Sequence, residues 1–261
     1  MLKIATWNVN SLRVRLPHLL RWLERERPDV VALQETKLTD EDFPATELRG
    51  LGYHLAHHGQ KGYNGVALLS REPLEDVQRG MAAFPDDQAR LIAATTFGIR
   101  CYSLYVPNGE ALDSPKFDYK IAWLDGLAME LEAALGRHER LVVMGDFNIA
   151  PSDDDCYDPE LLSGGLFCSQ AERAALARIL DLGLEDGYLA APEREGRFTW
   201  WDYRGAAFRR DRGLRIDLIL LSRTLAGGLQ RLRVDRGPRS WPRPSDHAPV
   251  VAWFRFTLNR D

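Results

Sequence analysis

Eight short apolar runs, rich in β-branched residues, recur along the chain and constrain its fold more than any other feature. Several of them are almost continuously apolar, as expected for strands that are covered on both faces of a sheet. The runs read KIATWNV, DVVALQE, GVALLS, LIAATTF, IRCYSLYV, RLVVMGD, RIDLILLS and APVVAWFRF. The pattern predicts β-sheets buried between other layers of structure.

Segments with helical periodicity separate some of these runs. The apolar stripes are Leu16, Leu19, Leu20 and Leu23 in the first segment, and Phe117, Ile121, Leu124, Leu131 and Leu135 in the second. A third helix is predicted to begin at Ser169, where Glu172 completes a capping box, and to end near Gly183. No linker-like or low-complexity segment divides the 261 residues, which predicts one α/β domain over residues 1–261.

The formal charge of −4 argues weakly against a polyanionic partner, but the distribution of charge argues the other way. Residues 194–243 contain 13 Arg against five Asp and Glu, whereas residues 150–193 contain ten Asp and Glu against two Arg. Such a chain can present a basic face to nucleic acid despite its acidic total. A solvated, Arg-rich surface is the alternative interpretation.

The cysteines indicate a reducing compartment. Cys101, Cys156 and Cys168 are odd in number and form no CxxC pair, which favours reduced thiols in a cytosolic protein and disfavours a zinc site. No apolar stretch approaches the ~20 residues that span a bilayer. The beginning MLKIATWNVN lacks the features of a secretory signal. We therefore expect a cytoplasmic protein with no membrane partner.

Polar side chains end or open six of the predicted strands. They are Asn8 and Asn10, Gln34 and Glu35, Tyr105 and Asn108, Asp146 and Asn148, Asp217, and Asp246 with His247. Because strand side chains alternate in direction, Asp146 and Asn148 are predicted to face a cleft while Phe147 packs in the core. A single Asn or Asp at a strand end is usually a turn or cap. Six such ends together predict one polar pocket walled by apolar core.

The donor types in this pocket favour a hard divalent cation. Glu35 and Asp246, with Asn8 as a neutral oxygen donor, suit Mg²⁺ or Mn²⁺. Ser245, Asp246 and His247 resemble a hydrolase triad only in residue type. Neighbours in sequence cannot form the hydrogen-bonded relay that a triad requires, which excludes serine hydrolysis.

The remaining polar residues suit the hydrolysis of a phosphate ester. His247 can hydrogen-bond or protonate a phosphate oxygen, and a buried carboxylate such as Asp217 would hold its ring and raise its pKa. Asp146 can orient or deprotonate a water for in-line attack. The run of Asp153, Asp154 and Asp155 would repel a phosphate, and we predict that it is solvated turn or helix-cap chemistry outside the site.

Eight motifs, in the same order along the chain, resemble the exonuclease III family of abasic-site endonucleases. They are WNVNSLR, LQETK, GYNGVALLS, YVPNGE, MGDFNIAP, FTWWDYR, GLRIDLILLS and SDHAPV. GDFN with SDH would indicate only the wider, DNase I-like endonuclease/exonuclease/phosphatase superfamily, whereas LQETK, WWDYR and GLRID resemble exonuclease III more specifically. The resemblance implies a four-layer α/β sandwich with two central mixed β-sheets flanked by helices.

The same resemblance implies an enzyme that acts on double-stranded DNA, with the Mg²⁺ that the donor types favour and Mn²⁺ as a substitute. A monomer is the default expectation. Its expected activities are cleavage 5′ to abasic sites, 3′→5′ exonuclease activity and the cleaning of blocked 3′ ends. Asn8 and Glu35 would contact the metal. Asp246 would either be a ligand itself or contact a ligand.

The catalytic roles carried over by motif agree with the roles inferred from the residues. Asp146 would position the attacking water with help from Asn148, and Asp217 would pair with His247 at the scissile phosphate. Tyr105 would lie near the phosphate or the leaving oxygen.

A second group of residues is predicted to contact DNA. Trp200, Leu214 and Ile216 would wall an apolar pocket for a flipped-out sugar that carries no base. The adjacent Trp201 is the alternative aromatic and is expected to pack in the core. The candidates for further DNA contacts are Asn108, Arg90, Lys116, Arg204 and Lys37.

Two other functions are compatible with parts of the pattern. One is a phosphoesterase of the same fold that acts on small-molecule or lipid phosphates, which the Arg-rich region and the FTWWDYR motif disfavour. The other is a non-catalytic nucleic-acid-binding regulator, which the complete set of acidic, amide and histidine positions disfavours.

Overall fold

The computed structural model describes residues 1–255. The strands are β1 Leu2–Asn8, β2 Val30–Gln34, β3 His54–His58, β4 Val66–Ser70, β5 Glu75–Arg79, β6 Leu91–Thr96, β7 Ile99–Tyr105, β8 Leu141–Asp146, β9 Leu184–Asp186, β10 Glu193–Glu195, β11 Asp217–Ser222, β12 Leu229–Val234 and β13 Val250–Phe254. The α-helices are α1 Leu12–Glu26, α2 Ala45–Gly50, α3 Pro115–Leu135, α4 Pro159–Leu162, α5 Gln170–Asp181, α6 Gly187–Ala190 and α7 Arg223–Ala226. Short 3₁₀ turns occupy Asp153–Asp155, Arg204–Ala206 and Gly237–Ser240.

The strands form two mixed sheets. One has seven strands in the order β10-β12-β13-β1-β2-β4-β3, and the other has six in the order β5-β6-β7-β8-β11-β9. Strand β1 pairs parallel with β2 and antiparallel with β13, and β8 pairs parallel with β7 and antiparallel with β11. Both sheets are therefore mixed, as the resemblance implied.

Three apolar cores separate four layers. The core between the sheets contains Ile4 and Leu68 of the first sheet with Val142 and Ile219 of the second. The outer face of the first sheet packs on α1 and α2, and the outer face of the second packs on α3 and α5. The order helix, sheet, sheet, helix confirms the predicted four-layer sandwich. Within residues 1–255, no helix is both long enough and apolar enough to cross a membrane.

Each of the eight apolar runs contains a strand; the last residue of APVVAWFRF, Phe256, lies outside the described residues. The strands that sequence reasoning missed are β3, β5, β9, β10 and β12. Four of these five lie at sheet edges, where one side of the strand has no neighbour to cover it. Side chains there stay partly exposed, as in the EDVQR of β5, and the apolar signal is lost.

The three predicted helices are α1, α3 and α5. The Ser169 side chain accepts a hydrogen bond from the backbone N–H of Glu172 at the start of α5, and the Glu172 carboxylate accepts one in return from the N–H of Ser169. This reciprocal pair confirms the predicted capping box.

The sheet register collects the polar strand ends at one edge of the sandwich. Asn8 is paired with Gln34 where β1 and β2 end, and Asp146 is paired with both Tyr105 and Asp217. Strands β1 and β13 run antiparallel, which brings the segment before β13 to this same edge.

Gly145 allows the end of β8 to pack closely against β7 at this edge. A Cβ atom at position 145 would lie 1.9 Å from the carbonyl oxygen of Leu104 in the neighbouring strand. Since no side chain fits that gap, the glycine of the MGDFN motif is required by strand packing.

Candidate active site

Asn8 links two carboxylates at the centre of the polar edge. Its side-chain nitrogen donates to Glu35 Oε1 over 2.8 Å and to Asp146 Oδ2 over 2.9 Å. Its oxygen accepts a hydrogen bond of 2.9 Å from the backbone N–H of Asn10. The second oxygen of Glu35 lies 2.8 Å from the ammonium of Lys37. Asn8, Glu35 and Asp146 are thus brought together as predicted, with the nitrogen of Asn8 facing the carboxylates.

His247 stands between two buried carboxylates. Its Nδ1 atom lies 2.8 Å from Asp217 Oδ2, and its Nε2 atom lies 3.6 Å from Asp146 Oδ2. Burial alone would lower the pKa of His247, but the carboxylates of Asp217 and Asp146 outweigh it and raise the pKa to about 10. The ring is therefore an imidazolium at neutral pH, and Asp217 fixes its orientation.

Asp146 lies in a site that suits proton transfer near neutral pH. Burial raises its pKa to about 7, although the nearby charge of His247 acts in the opposite direction. Burial, together with the carboxylates of Glu35 and Asp146, also raises the pKa of Tyr105 well above its ordinary value. Tyr105 is consequently a neutral phenol, which can donate a hydrogen bond at neutral pH.

Asn148 is held over this centre by its neighbours. Its backbone N–H donates to Asp146 Oδ1 over 2.9 Å, and its side-chain nitrogen donates to the carbonyl of Val106 over 3.0 Å. Its oxygen accepts a longer contact of 3.4 Å from Asn108. Phe147 packs fully in the core, so the predicted division between cleft and core is confirmed.

Several residues of this centre have left-handed backbone conformations. The φ angles are 41° at Asn10, 51° at Glu35, 54° at Lys37 and 50° at Asn148. Asparagine adopts such angles readily, but at Glu35 and Lys37 they are uncommon and need support from surrounding contacts, a situation typical of functional sites.

Three residues of types that can bind a metal ion lie close together here. Among the described residues, Glu35, Asp146 and His247 form a group whose ligand atoms lie within 4.8 Å of one another. Asp246 is outside that group; its oxygens accept hydrogen bonds from Asn10 over 2.8 Å and from the indole of Trp200 over 3.0 Å. Burial would raise the pKa of Asp246, but the charge of His247 and these hydrogen bonds lower it, so the carboxylate is charged at neutral pH.

An apolar cluster lies beside the polar centre. Leu214 and Ile216 are buried in it together with Ala150, and the half-buried Trp200 and Phe167 pack against them. The rings of Phe167 and Trp200 meet edge-on with centroids 6.2 Å apart. The predicted grouping of Trp200, Leu214 and Ile216 is therefore present, and Phe167 is a member that sequence reasoning missed.

Trp201 points away from this cluster. It is fully buried in the core between the sheets, edge-on to Phe208, and its indole donates to Asp211 over 3.2 Å. The expectation that this aromatic packs in the core is confirmed.

The candidates for DNA contacts divide into two groups. Lys37 and Arg90 lie at the centre, because Lys37 contacts Glu35 and the guanidinium of Arg90 stacks 4.9 Å from the Tyr105 ring. Asn108, Lys116 and Arg204 are exposed on loops or at a helix start. Lys116 forms an ion pair of 2.6 Å with Glu110, and Arg204 forms one of 3.0 Å with Asp202. Their roles toward DNA stay predictions.

The acidic run is only partly what its sequence suggested. Asp153 and Asp154 are exposed, but Asp155 is buried and forms a two-point ion pair with Arg215. Its carboxylate also accepts from the backbone and hydroxyl of Ser152, which is the predicted cap chemistry. Asp155 was therefore wrongly expected to be solvated; the buried guanidinium, distant in sequence, offsets the desolvation of its charge.

The three cysteines are free and buried. Cys156 and Cys168, twelve residues apart, lie with their sulfur atoms 3.2 Å from each other in the apolar cluster. No sequence motif predicted this contact, because neither residue belongs to a CxxC motif.

Sequence reasoning also missed a buried ion pair below the centre, in which Lys120 of α3 lies 2.5 Å from Glu172 of α5. A signal was present, since Lys120 interrupts the apolar stripe of α3 at helical spacing between Phe117 and Leu124.

Comparison with known proteins relates the whole chain to one family. The family model described as the endonuclease/exonuclease/phosphatase family matches residues 5–247. Exodeoxyribonuclease III of Haemophilus influenzae is 38% identical over 267 residues, which cover 97% of this chain and 100% of that protein.

Solved structures give the same relationship. A 3′ phosphatase from Neisseria, bound to a product DNA hairpin, is 49% identical with a TM-score of 0.96, covering 98% of this chain and 100% of its own. An AP endonuclease from Archaeoglobus fulgidus is 40% identical with a TM-score of 0.93, over 98% and 100% of the two chains. The fold, the polar edge and these similarities together establish that the chain belongs to the endonuclease/exonuclease/phosphatase family.

Proposed function

We propose that this protein is a metal-dependent DNA repair nuclease of the exonuclease III type. Its reaction is the hydrolysis of the bond between phosphorus and a 3′ oxygen in duplex DNA. That one bond is cleaved in incision 5′ to an abasic site, in 3′→5′ exonuclease action and in the removal of a 3′ phosphate. One arrangement of catalytic groups therefore serves all three activities.

The observation that carries the proposal is the chain of contacts from Glu35 through Asn8 and Asp146 to His247 and Asp217. It brings Glu35, which can bind a cation, and Asp146, which can orient a water, close to His247. The charged ring of His247 can donate a hydrogen bond to a phosphate oxygen. A non-catalytic regulator would have no need to maintain so many buried charges in contact, because each is costly to desolvate.

The donor set fits Mg²⁺, for which Mn²⁺ can substitute. Glu35 is the proposed principal ligand, with Asp246, whose carboxylate is charged at neutral pH, as the second carboxylate. Asn8 would offer its oxygen after rotation of its amide. His247 is a poor ligand, because an imidazolium has no lone pair to donate. When bound, the cation would supply positive charge that stabilises the negative charge developing on the phosphate oxygens.

The protein groups divide the remaining work. Asp146 accepts a proton from the attacking water, and the amide of Asn148 helps to orient that water. The imidazolium of His247 donates a hydrogen bond to a non-bridging phosphate oxygen, while Asp217 keeps the ring charged and aligned. Tyr105, a neutral phenol, donates to the phosphate or to the departing 3′ oxygen.

The apolar cluster of Trp200, Leu214 and Ile216, bordered by Phe167, supports recognition of a sugar without a base. A sugar that carries no base can leave the helix at a low cost in stacking and fit against such a surface. Lys37, Arg90, Asn108, Lys116 and Arg204 are the proposed contacts to the DNA backbone and ends.

The wider setting is part of the same proposal. We infer one catalytic domain over residues 1–261, supported by a single core between the sheets whose members run from Leu2 to Phe254 along the sequence. The three free cysteines support a cytoplasmic location, where thiols stay reduced. A monomer is proposed, because in the exonuclease III scheme one chain supplies every catalytic group.

The test uses two labelled duplexes. One carries a 3′ phosphate, and the other carries a central abasic analogue with a blocked 3′ end. Each is incubated with Mg²⁺ or with a chelator, beside a phosphorylated inositol and a phospholipid. We expect metal-dependent phosphate release from the first duplex and incision of the second. Turnover of only the inositol or the lipid would refute the proposal, as would DNA binding without cleavage.

A further inference from the structure

Lys120 has a fully buried ammonium with a complete set of partners. It donates to Glu172 Oε1 over 2.5 Å, to the backbone carbonyl of Asn148 over 2.7 Å and to that of Asn108 over 3.2 Å. An ammonium has three protons, so these three acceptors satisfy it. Neither Lys120 nor Glu172 exposes any side-chain surface, which excludes direct contact with DNA.

Glu172 extends these contacts to a third segment. Its Oε1 atom also accepts from the backbone N–H of Phe167 over 3.1 Å. Its Oε2 atom accepts from the N–H and the hydroxyl of Ser169 over 3.0 and 2.6 Å. The carboxylate therefore connects the start of α5 and the Phe167 segment to the ammonium of Lys120.

All three connected segments border the catalytic centre. Asn148 follows Asp146 and bonds to its carboxylate, and Asn108 reaches the Asn148 side chain. Phe167 forms one side of the apolar cluster with Trp200. Asn148 has a left-handed backbone with φ 50°, and its carbonyl is one of the two that Lys120 holds.

Stability alone does not explain such a pair. Replacing a buried ion pair by uncharged residues of similar size is often neutral or stabilising, because both charges must be desolvated. Burial lowers the pKa of Lys120 even though Glu172 acts in the opposite direction, which shows that desolvation is strong here. Two uncharged side chains of about the size of methionine would fill the same space without the cost of desolvating two charges.

We infer that Lys120 and Glu172 are positioning residues for phosphate hydrolysis. They set the backbone of Asn148, and with it Asn108 and Phe167, against the reacting phosphate and the sugar. The inference rests on the proposed function, since it assigns these residues to that same site. They act through Asn148 and not on the substrate, so removing them lowers kcat and leaves substrate binding almost unchanged.

The decisive variant is Lys120→Met/Glu172→Gln. It removes both charges together, and glutamine keeps an acceptor oxygen for the backbone N–H groups of Phe167 and Ser169. We expect the melting temperature to stay close to that of the wild type. The kcat for 3′ phosphate release falls by about tenfold or more, because placement errors near 1 Å cost up to about 10²-fold. The KM, and the Kd for duplex measured with chelator, change by less than threefold.

A matched control is available on the same two helices. Arg178 of α5 and Asp125 of α3 form an exposed ion pair, with atoms 2.5 Å apart, that also joins the two helices. Arg178→Met therefore breaks a helix-to-helix ion pair without touching the three segments. It is expected to keep the wild-type kcat, KM and Kd.

The possible outcomes distinguish failure of this inference from failure of the proposed function. A folded double variant with wild-type kcat overturns the inference. So does failure of both the double variant and Glu172→Gln to fold, which would assign the pair to stability alone. Absence of activity in the wild-type protein would refute the proposed function, and the inference with it, before any variant is measured.

Discussion

Arg215 holds Asp155 in a two-point ion pair, with Nε 2.7 Å from Oδ1 and Nη2 3.0 Å from Oδ2. The third nitrogen of the guanidinium lies 2.7 Å from Asp186. All three side chains are buried. Because Arg215 stands two residues before Asp217, the ion pair ties the acidic run to the segment that orients His247.

Asp155→Asn is expected to lower the free energy of unfolding at pH 7 by about 1.5–3 kcal/mol, the usual value of hydrogen bonds to a charged group, because Arg215 keeps Asp186 as its other partner. Burial alone would raise the pKa of Asp155, but Arg215 and Ser152 lower it below its ordinary value of 3.8. This stabilisation is therefore present above pH ~4 and is lost as the pH falls through the lower, folded-state pKa.

Urea unfolding of the wild type and of Asp155→Asn, at several pH values, measures this dependence. The difference between them should be largest near pH 7 and shrink below pH ~4. Asp153→Asn, which alters an exposed neighbour in the same run, serves as the control and should change stability by less than ~1 kcal/mol. A difference that is the same at pH 7 and pH 3 would contradict the ion-pair explanation.

Asp146→Asn is expected to lower kcat by about 10²–10⁴-fold while the fold stays intact, because the water loses its proton acceptor. The amide still accepts from the backbone N–H of Asn148, which preserves the turn. Circular dichroism and thermal melting check the fold, and 3′ phosphate release checks activity. Wild-type turnover in this variant would refute the role given to Asp146.

Asp217→Asn is expected to lower the pKa of His247 substantially from about 10, since its principal stabilising charge is removed while burial remains. NMR titration of the histidine ring in metal-free protein measures the change. The pH above which activity is lost should then fall, and the maximal activity should drop, because Asp146 must still be unprotonated to accept a proton from the water. An unchanged pKa would mean that Asp146 alone keeps the ring protonated.

Trp200→Ala is expected to reduce incision at an abasic site more than release of a 3′ phosphate. Removing the indole takes about 1.5–3 kcal/mol of apolar contact from the sugar pocket, or roughly tenfold or more in kcat/KM. Trp200→Phe keeps the ring but lacks the N–H that binds Asp246, and it separates the two contributions. Equal losses of activity on both substrates would mean that Trp200 acts through its hydrogen bond to Asp246 and not through contact with the sugar.

Gly145→Ala is expected to destabilise the protein by more than about 4 kcal/mol or to prevent folding, because its Cβ would overlap the Leu104 carbonyl at 1.9 Å. Gly136→Ala is the control. That residue ends α3 with φ −66°, and its Cβ would meet atoms no closer than 3.6 Å. It should be neutral or stabilising by about 0.4–1 kcal/mol. Thermal melting compares the two.

Part of this molecule follows from local sequence alone. Period and composition were enough to locate eight of the nine central strands and the helices α1, α3 and α5, because buried faces leave a periodic apolar signal. Alternation along β8 was enough to separate Asp146 and Asn148 from Phe147. The motif resemblance supplied the two sheets, since strand order depends on contacts between distant segments.

What only the tertiary structure decided concerns pairs of residues that are far apart in sequence. No local sequence pattern shows that Asp155 pairs with Arg215, or that Lys120 pairs with Glu172. Their burial and their partners depend on how helices and loops pack over the second sheet. A charge is solvated or buried according to what the fold places beside it, and that information is not local.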